Sequence, residues 1–286
     1  MADAATRYHR KDRVLMLMLM APAIFVVALL LIVPTSWLFW QSIYAGGFTL
    51  ENYARIFTGE IYWNTFLLTF RISAIVTVGA LVLGYPVAYA ASVLPRRLAM
   101  LVLVIALLPF WTSVLVRTYA WLILLSHNGV INDALLAIGA ISEPLQLTNN
   151  ELGTIVATVH ILLPFMVLPL YSAMQKIPPD LTLAGMSLGG SPLYTLRRIY
   201  FPLSLSGVMA GSALVFVLCL GFYITPELMG GGRTVMASMV VSRNVELFSD
   251  WGAASAVSVV LLAFVVLIFF IASRVVPVDR IVGAGS

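Results

Sequence analysis

The stretch DLTLAGMSLGGSPLYTLRRIYFP, residues 180–202, decides the fold, because it separates two long apolar segments yet is too polar to cross a bilayer. Gly189 and Gly190 are typical of a helix end that needs a positive φ. Ser191 followed by Pro192 is typical of a new helix start, with a capping side chain and a proline at the first helical position. The pattern therefore predicts two short helices joined by a glycine elbow.

The two predicted helices have apolar faces. Asp180 is predicted to cap the first helix, which extends to Leu188, and the second helix is predicted to end before Pro202. Apolar residues share one face of each helix: Leu181, Ala184 and Leu188, then Leu193, Leu196 and Ile199. Such a unit fits either the membrane surface or a groove on a partner protein, and periodicity alone leaves both open.

The rest of the chain is far more apolar than a water-soluble protein. Of its 286 residues, 61% are hydrophobic and 10% are charged, and the mean hydropathy is +1.02. Soluble domains are about 45–50% apolar and about 25% charged. Because helices satisfy their own backbone hydrogen bonds in lipid, the composition predicts an all-α integral membrane protein.

Apolar runs of about 20 residues, the length that crosses a bilayer, occur six times. The predicted spans are near 14–40, 62–91, 98–125, 152–174, 204–226 and 253–273. With the N-terminus inside, eleven of the 16 Lys and Arg residues fall in inner segments and three in outer loops. The positive-inside rule therefore places both termini in the cytoplasm. This predicts a cytoplasmic tail, 1–13, and a transmembrane domain, 14–286, containing a cytoplasmic loop at 175–203.

Enzyme motifs are missing from the sequence. There is no G-x-x-x-x-G-K-[ST] phosphate-binding loop, no nucleophile elbow and no H-E-x-x-H. The single cysteine, Cys219, excludes an intrachain disulfide, and the three scattered histidines predict no metal site. The chain is therefore predicted to be no enzyme and to hold no cofactor of its own. Its net charge of +4 is assigned to loops facing anionic lipid rather than to nucleic acid.

The spacing within 180–202 resembles the cytoplasmic signature of ABC-importer permeases. That signature is Glu-Ala-Ala, three residues, Gly, nine residues, Ile, any residue, Leu-Pro. This chain keeps the spacing as Leu183-Ala184-Gly185, Gly189, Ile199 and Phe201-Pro202. Leu183 replaces the glutamate, Gly185 the second alanine and Phe201 the leucine. The missing carboxylate removes the basis for an electrostatic contact there and leaves the helix–glycine–helix geometry intact.

Three further stretches look like the spermidine/putrescine-type permeases. They are LPFWTSVLVRTYAWLILL (108–125), ILLPFMVLPLYSAMQKIP (161–178) and GFYITPELMGGGR (221–233). The resemblance covers the chain from about the second span to the sixth and implies the type I ABC-importer permease fold, in the bacterial inner membrane. It also implies that the loop 175–203 couples to an ATPase subunit. The implied coupling residues are Asp180, Ala184, Gly185, Gly189, Gly190, Ile199 and Pro202.

The resemblance also implies an assembly. It predicts a second permease subunit in a heterodimer, two copies of an ATP-binding subunit that hold ATP and Mg, and an external solute-binding protein. The implied activity is ATP-driven import of a small charged organic solute, a polyamine, by alternating access. Another cargo, such as an amino-acid-like solute, an opine or a phosphonate, stays open, and so does an ion-coupled secondary transporter. The latter normally shows inverted repeats and embedded ionisable groups, and we find neither a repeat nor a deep acid.

Five residues are candidates for the cargo pathway. Glu227, with Tyr223 and Phe222 just before it, offers a carboxylate and aromatic faces to a cation at the outer end of the fifth span. The alternative interpretation is that Glu227 is an acidic residue of an outer loop with no role in transport. Arg71 is predicted near the midplane, where a buried cation needs a partner or a wet cavity. Arg117 is predicted near the outer interface, where it can snorkel to water. Both arginines would suit an anionic cargo instead.

His160 lies within the fourth predicted span. Its ordinary pKa would let it titrate near neutrality. We predict instead that it is neutral and hydrogen-bonded to a neighbouring helix.

Overall fold

The computed structural model describes the backbone of residues 2–44 and 47–275, and the side chains of residues 18–44 and 47–271. The all-helical prediction is confirmed over these residues, which form helices and no β-strand. The helices are α1 (Ala2–Ile43), α2 (Glu51–Thr58), α3 (Glu60–Val93), α4 (Arg96–Leu107), α5 (Val114–Leu124), α6 (Val130–Ala137), α7 (Glu151–Met174), α8 (Pro179–Ser187), α9 (Pro192–Thr195), α10 (Phe201–Leu203), α11 (Leu205–Leu220), α12 (Ile224–Met229), α13 (Ala237–Glu246) and α14 (Trp251–Val275). A 3₁₀ turn, Leu108–Trp111, precedes α5, and a π-helical turn, Leu196–Tyr200, joins α9 to α10.

Four described helices are long and apolar enough to cross a membrane. They are Met18–Ile43, Glu60–Val93, Glu151–Met174 and Trp251–Ile271. Two further candidates are bent pairs. Arg96–Trp111 meets Val114–Leu124 at 100°, and Pro192–Leu203 meets Leu205–Leu220 at 64°. The described residues therefore hold between four and six helical segments able to span a bilayer.

The segment predicted as one span at 98–125 is broken. α4 ends at Leu107 and α5 begins at Val114, with the 3₁₀ turn between them. Pro109 lies in this turn, and its missing N–H and its ring disfavour a continuing α-helix. The segment predicted at 204–226 also differs, because α11 ends at Leu220 and Glu227 belongs to α12.

Both ends of the chain can be compared with the predicted boundaries of the tail, 1–13, and the transmembrane domain, 14–286. α1 begins at Ala2, so the backbone of the predicted tail, 1–13, is helical where it is described. The last part of the predicted domain, residues 276–286, lies outside the described residues.

The main core lies where α3, α7 and α11 pack against one another. Its fully buried side chains include Ile72, Val76, Met166, Leu170 and Val215. Small residues let the helices approach closely, as is usual between membrane helices. A Cβ added at Gly211 of α11 would lie 2.8 Å from Met166 Sδ, and one added at Gly207 would lie 2.6 Å from Ala173 Cβ.

A second layer packs around this core. α14 lies between α1 and α13, and an edge-to-face contact between Trp37 and Trp251 joins α1 to the start of α14. Apart from these contacts the apolar side of α1 is open, since Leu30 and Leu31 are largely exposed. Such a surface is expected for a helix that faces lipid or a partner subunit.

Candidate functional site

The predicted glycine elbow is present between α8 and α9. Gly189 has φ +86°, in the left-handed region that favours glycine. The Gly189 N–H donates to the carbonyl of Met186 (3.0 Å), and the Gly190 N–H donates to that of Gly185 (3.1 Å). These two bonds form a Schellman motif, which satisfies the free carbonyls of α8. The predicted helix end is therefore confirmed.

The restart of the helix is also confirmed. The Ser191 hydroxyl accepts a hydrogen bond from the Tyr194 N–H (3.2 Å), and Pro192 is the first residue of α9. Both features satisfy or remove backbone donors that a helix start leaves free. The sequence therefore defines the elbow locally, without help from distant contacts.

Two predicted boundaries near the elbow are wrong. Asp180 does not cap α8, because Pro179 already occupies the first helical position and Pro178 is the capping residue. Asp180 lies in the first turn instead, where its charge still suits the helix dipole. The second helix does not end before Pro202 but runs through it to Leu203. The preceding π-helical turn widens the helix at the point where the proline removes a donor.

The two arms of the elbow pack on each other at Gly185. A Cβ added there would lie 2.5 Å from Ile199 Cδ1 and 3.4 Å from the Thr195 side chain. Gly190 is equally close to its neighbours, with an added Cβ 2.7 Å from the Gly185 carbonyl oxygen. The glycine in place of the family's second alanine therefore permits this close approach between α8 and the π-helical turn.

The outer surface of the elbow is apolar and exposed. Leu188 is 89% exposed, Leu193 64% and Leu183 55%, and Ala184 is exposed beside them. Beside this surface is an open cleft of about 590 Å³ lined by Ser191, Leu193, Tyr194, Arg197 and Arg198. Exposed leucines at a helix–helix corner are unusual on a free protein surface and are typical of a docking surface.

The inner side of the same segment is fixed to α3. The Tyr85 and Ser204 hydroxyls are 3.0 Å apart, and the Ser92 and Tyr200 hydroxyls are 2.6 Å apart. Tyr200 is 5% exposed and Ser204 is fully buried. These four side chains were missed at the sequence level, although Tyr85 and Ser92 lie two helical turns apart on one face of α3.

Arg71 has a partner that the sequence did not reveal. Its guanidinium forms an ion pair with Glu151, the first residue of α7, and the two side chains are 60% and 32% exposed. The pair is therefore partly open and lies at the start of α7. The expectation of a buried side chain at Arg71 is wrong for this chain, whereas the partner that a cation within a span needs is present as Glu151.

Glu227 is paired as well. Its carboxylate accepts hydrogen bonds from Arg243 Nη2 at 3.2 and 3.4 Å, and both side chains are 35% exposed. Tyr223 caps α12 and Phe222 precedes it, and both are half-buried. The Phe222 carbonyl accepts a hydrogen bond from the Ser238 hydroxyl (2.8 Å). The three predicted residues are thus held together on α12 and its start, against α13.

Arg117 is half-buried. Its Nε and Nη1 atoms are buried and have no hydrogen-bond partner among the described residues. The next residue, Thr118, is bonded through its hydroxyl to the Thr225 hydroxyl (2.9 Å), which ties α5 to α12. Helix α5, which carries Arg117, is therefore attached to α12, which carries Glu227.

His160 behaves as predicted. Trp121 Nε1 on α5 donates to His160 Nδ1 on α7 at 3.2 Å, with the two rings edge to face. Because Nδ1 accepts this bond, the imidazole is neutral. It therefore joins α5 to α7.

The structure groups the predicted residues into two regions. The coupling residues, from Asp180 to Pro202, form one compact elbow. α12 is joined to α5 through Thr225 and Thr118, and a backbone bond from the Asn150 N–H to the Met229 carbonyl (3.1 Å) joins α12 to the start of α7. The Arg71–Glu151 pair therefore belongs to this second region, at the opposite end of α7 from the elbow.

The family model described as "Binding-protein-dependent transport system inner membrane component" matches residues 80–278. The chain belongs to this family. It is an inner-membrane permease component, and the matched residues include the whole elbow and all of α12.

Curated relatives and a solved structure agree with this assignment. The chain is 36% identical to the spermidine/putrescine transport system permease protein PotB of Escherichia coli K12 over 230 residues, covering 79% of this chain and 83% of the relative. It is equally similar to PotB of Salmonella typhimurium SL1344, covering 79% and 80%. A chain of a bacterial alginate ABC transporter, crystallised with an alginate pentasaccharide-bound periplasmic protein, matches with a TM-score of 0.72 and 17% identity over 97% of this permease and 98% of that chain. The ABC-importer permease fold is therefore shown.

Proposed function

We propose that this permease imports a polyamine of the spermidine or putrescine kind into the cytoplasm, driven by ATP. The observation that carries the proposal is the exposed apolar elbow around Gly189, presented by a chain of this family. An elbow of this shape fits a groove on a soluble partner, which is where ATP would be hydrolysed. The similarity to PotB, a spermidine/putrescine transport system permease protein, supports a polyamine as the cargo.

The proposed topology has six spans with both termini in the cytoplasm. Four long helices and two bent pairs supply six segments. The distribution of Lys and Arg favours a cytoplasmic elbow, since Arg197 and Arg198 lie on it. Under this topology the Arg71–Glu151 and Glu227–Arg243 pairs lie toward the outer face.

The proposed assembly contains a second permease subunit in a heterodimer, two copies of an ATP-binding subunit and an external solute-binding protein. ATP and Mg would bind to the ATPase subunits, and this chain would hold no cofactor. The exposed apolar side of α1 supports a subunit or lipid contact along its length. ATP-driven movement of the elbow would switch the spans between outward and inward openings.

The proposed cargo pathway passes Glu227, Tyr223 and Phe222. Glu227 and Arg243 are both partly exposed, so an ammonium group of the cargo can reach the carboxylate and replace the guanidinium. Tyr223 and Phe222 lie beside the carboxylate and can offer ring faces to a cation. The ion pair would then close the pathway when no cargo is present.

A second candidate cargo is a solute bearing a carboxylate or phosphonate. The unpaired Nε and Nη1 atoms of Arg117 favour it, because two buried guanidinium nitrogens without an acceptor can donate hydrogen bonds to an anion. Competition for uptake between spermidine and such anions separates the two candidates.

The test is reconstitution in proteoliposomes with the partner permease, the ATPase and the binding protein. Uptake of labelled spermidine that requires both ATP and the ATPase would support the proposal. Uptake driven by an ion gradient would support the secondary transporter, and passive flux would indicate a channel.

A further inference from the structure

We propose that Tyr200 and Ser92, together with Tyr85 and Ser204, form a two-point clamp that transmits movement of the elbow to α3. These are positioning residues, because they touch neither cargo nor nucleotide. The inference rests on the proposed function, since it concerns how ATP use is coupled to transport.

The clamp consists of two hydroxyl bridges between the same two segments. Ser92 and Tyr200 are 2.6 Å apart, and Tyr85 and Ser204 are 3.0 Å apart. The Tyr89 ring adds an edge-to-face contact to Tyr200, with the ring centroids 4.9 Å apart. Residues 85, 89 and 92 follow the i, i+4, i+7 spacing of one helix face, so α3 presents a single polar and aromatic strip.

The segment that carries Tyr200 is held on both sides. On one side Thr195 and Ile199 contact Gly185 of α8. On the other side Tyr200 and Ser204 bind α3. The intervening backbone is a continuous helical stretch with a π-helical turn and no loop. A displacement of α8 therefore reaches α3 through packed side chains and helical backbone.

α3 is suited to carry that displacement across the membrane. It is a single helix from Glu60 to Val93, so it is about 50 Å long at 1.5 Å per residue. Near its other end Arg71 pairs with Glu151 of α7. The clamp and this pair lie on the same helix, one beside the elbow and the other beside the proposed cargo region.

Hydroxyl bridges suit a joint of this kind better than apolar contacts do. A buried hydrogen bond holds two groups at a fixed distance and angle, whereas apolar side chains can slide past each other. Two bridges also prevent rotation about either one. Residues 200 and 204 are four positions apart and both bond to α3.

The experiment compares the assembled transporter with Tyr200→Phe and Ser92→Ala variants in proteoliposomes. The readout is labelled spermidine transported per ATP hydrolysed. Each variant removes one hydroxyl and keeps the ring or the backbone. We expect this ratio to fall about fivefold, the factor that loss of one net hydrogen bond of about 1 kcal/mol produces. Because the two hydroxyls act as one unit, the double variant should lose no more than either single variant.

A matched control is a hydroxyl bridge outside the clamp. Tyr53 donates a hydrogen bond to the Ser42 hydroxyl at 2.8 Å, so Tyr53→Phe deletes the same kind of bridge between α2 and α1, with no bond to the elbow. This variant should keep the wild-type ratio. Copurification of the ATPase with each variant shows that the complex is assembled.

The outcomes separate this inference from the proposed function. Wild-type protein without ATP-dependent uptake contradicts the proposed function. An active wild type, with Tyr200→Phe and Ser92→Ala at the wild-type ratio, overturns the clamp alone. A fall in the ratio that is equal in Tyr53→Phe also overturns it, since the effect would then not belong to the elbow.

Discussion

Arg71 on α3 and Glu151 at the start of α7 form an ion pair that joins these two helices of the core at the end of α7 away from the elbow. The same helices pack along the main core through Ile72, Val76 and Met166. The contact between α3 and α7 is therefore mainly apolar, with this ion pair at the start of α7. Its partial exposure places it among surface ion pairs rather than buried ones.

Exchanging the two charges should test whether this pair stabilises the protein. Arg71→Glu puts two carboxylates side by side and should lower the melting temperature and the uptake, while Arg71→Glu with Glu151→Arg should restore both. The expected stability cost is small, about 1 kcal/mol or less, because pairs of this exposure contribute little. Thermal unfolding in detergent measures it. A double variant no better than Arg71→Glu would contradict a direct pairwise interaction.

Gly189 should be sensitive to any side chain that resists a positive φ. Its surroundings are open, since nothing lies within 4 Å of an added Cβ, so the cost is conformational alone. Gly189→Val should straighten or distort the elbow, at a cost of roughly 1–2 kcal/mol, and weaken ATPase copurification. Gly189→Asn should weaken it less, because asparagine tolerates this backbone region.

Gly139 provides the control for this experiment. It also has a positive φ (+69°) and open surroundings, but it lies beyond α6 and far along the chain from the elbow. Gly139→Val carries the same local strain and should leave ATPase association unchanged. Equal loss in both variants would mean that general destabilisation, rather than elbow shape, is being measured.

A side chain added at Gly185 should destabilise the elbow through a steric clash and not through backbone strain. A methyl group added there meets Ile199 Cδ1 at 2.5 Å, so Gly185→Ala should push α8 away from the π-helical turn. Overpacking of this kind costs about 1–3 kcal/mol, and the flexible end of Ile199 keeps it near the lower limit. Ile199→Val removes the clashing atom and should restore stability in the double variant. Protease sensitivity of the 180–202 segment is the measurement, and an absence of rescue would contradict this contact.

Local chemistry explains how much of the elbow the sequence predicts. Gly189 ends one helix and the Ser191-Pro192 pair starts the next through backbone contacts with residues a few positions away. Such local signals can be recognised in the sequence. The partners of Arg71 and of Tyr200 depend on which helices pack together, and no local pattern contains that information. The π-helical turn at Leu196–Tyr200 was likewise not predicted from the local sequence. The sequence showed a proline at position 109 but did not predict that the helix would break there.

Arg117 should be more tolerant of replacement than an ordinary core residue. Its buried Nε and Nη1 atoms make no hydrogen bond within the described structure, so the charged group gains little in return for its desolvation. Arg117→Met keeps the length of the side chain and should leave the melting temperature unchanged or raise it. Arg233→Met, at an exposed arginine, is the control and should have no effect. A clear fall in melting temperature for Arg117→Met alone would show that the guanidinium has a stabilising partner.

Glu227 and Arg243 give the sharpest test of the proposed pathway, because two substitutions break the same ion pair with opposite consequences for a cation. Glu227→Gln removes the carboxylate, so spermidine uptake from saturated binding protein should fall about tenfold, near the value of one charged hydrogen bond of about 1.5 kcal/mol. Arg243→Gln leaves the carboxylate free for the cargo, so uptake should not fall. Both variants lose the same pair and should lose similar stability, which makes each the other's control. Equal loss of uptake in the two variants would mean that the pair is structural and that the cation passes elsewhere.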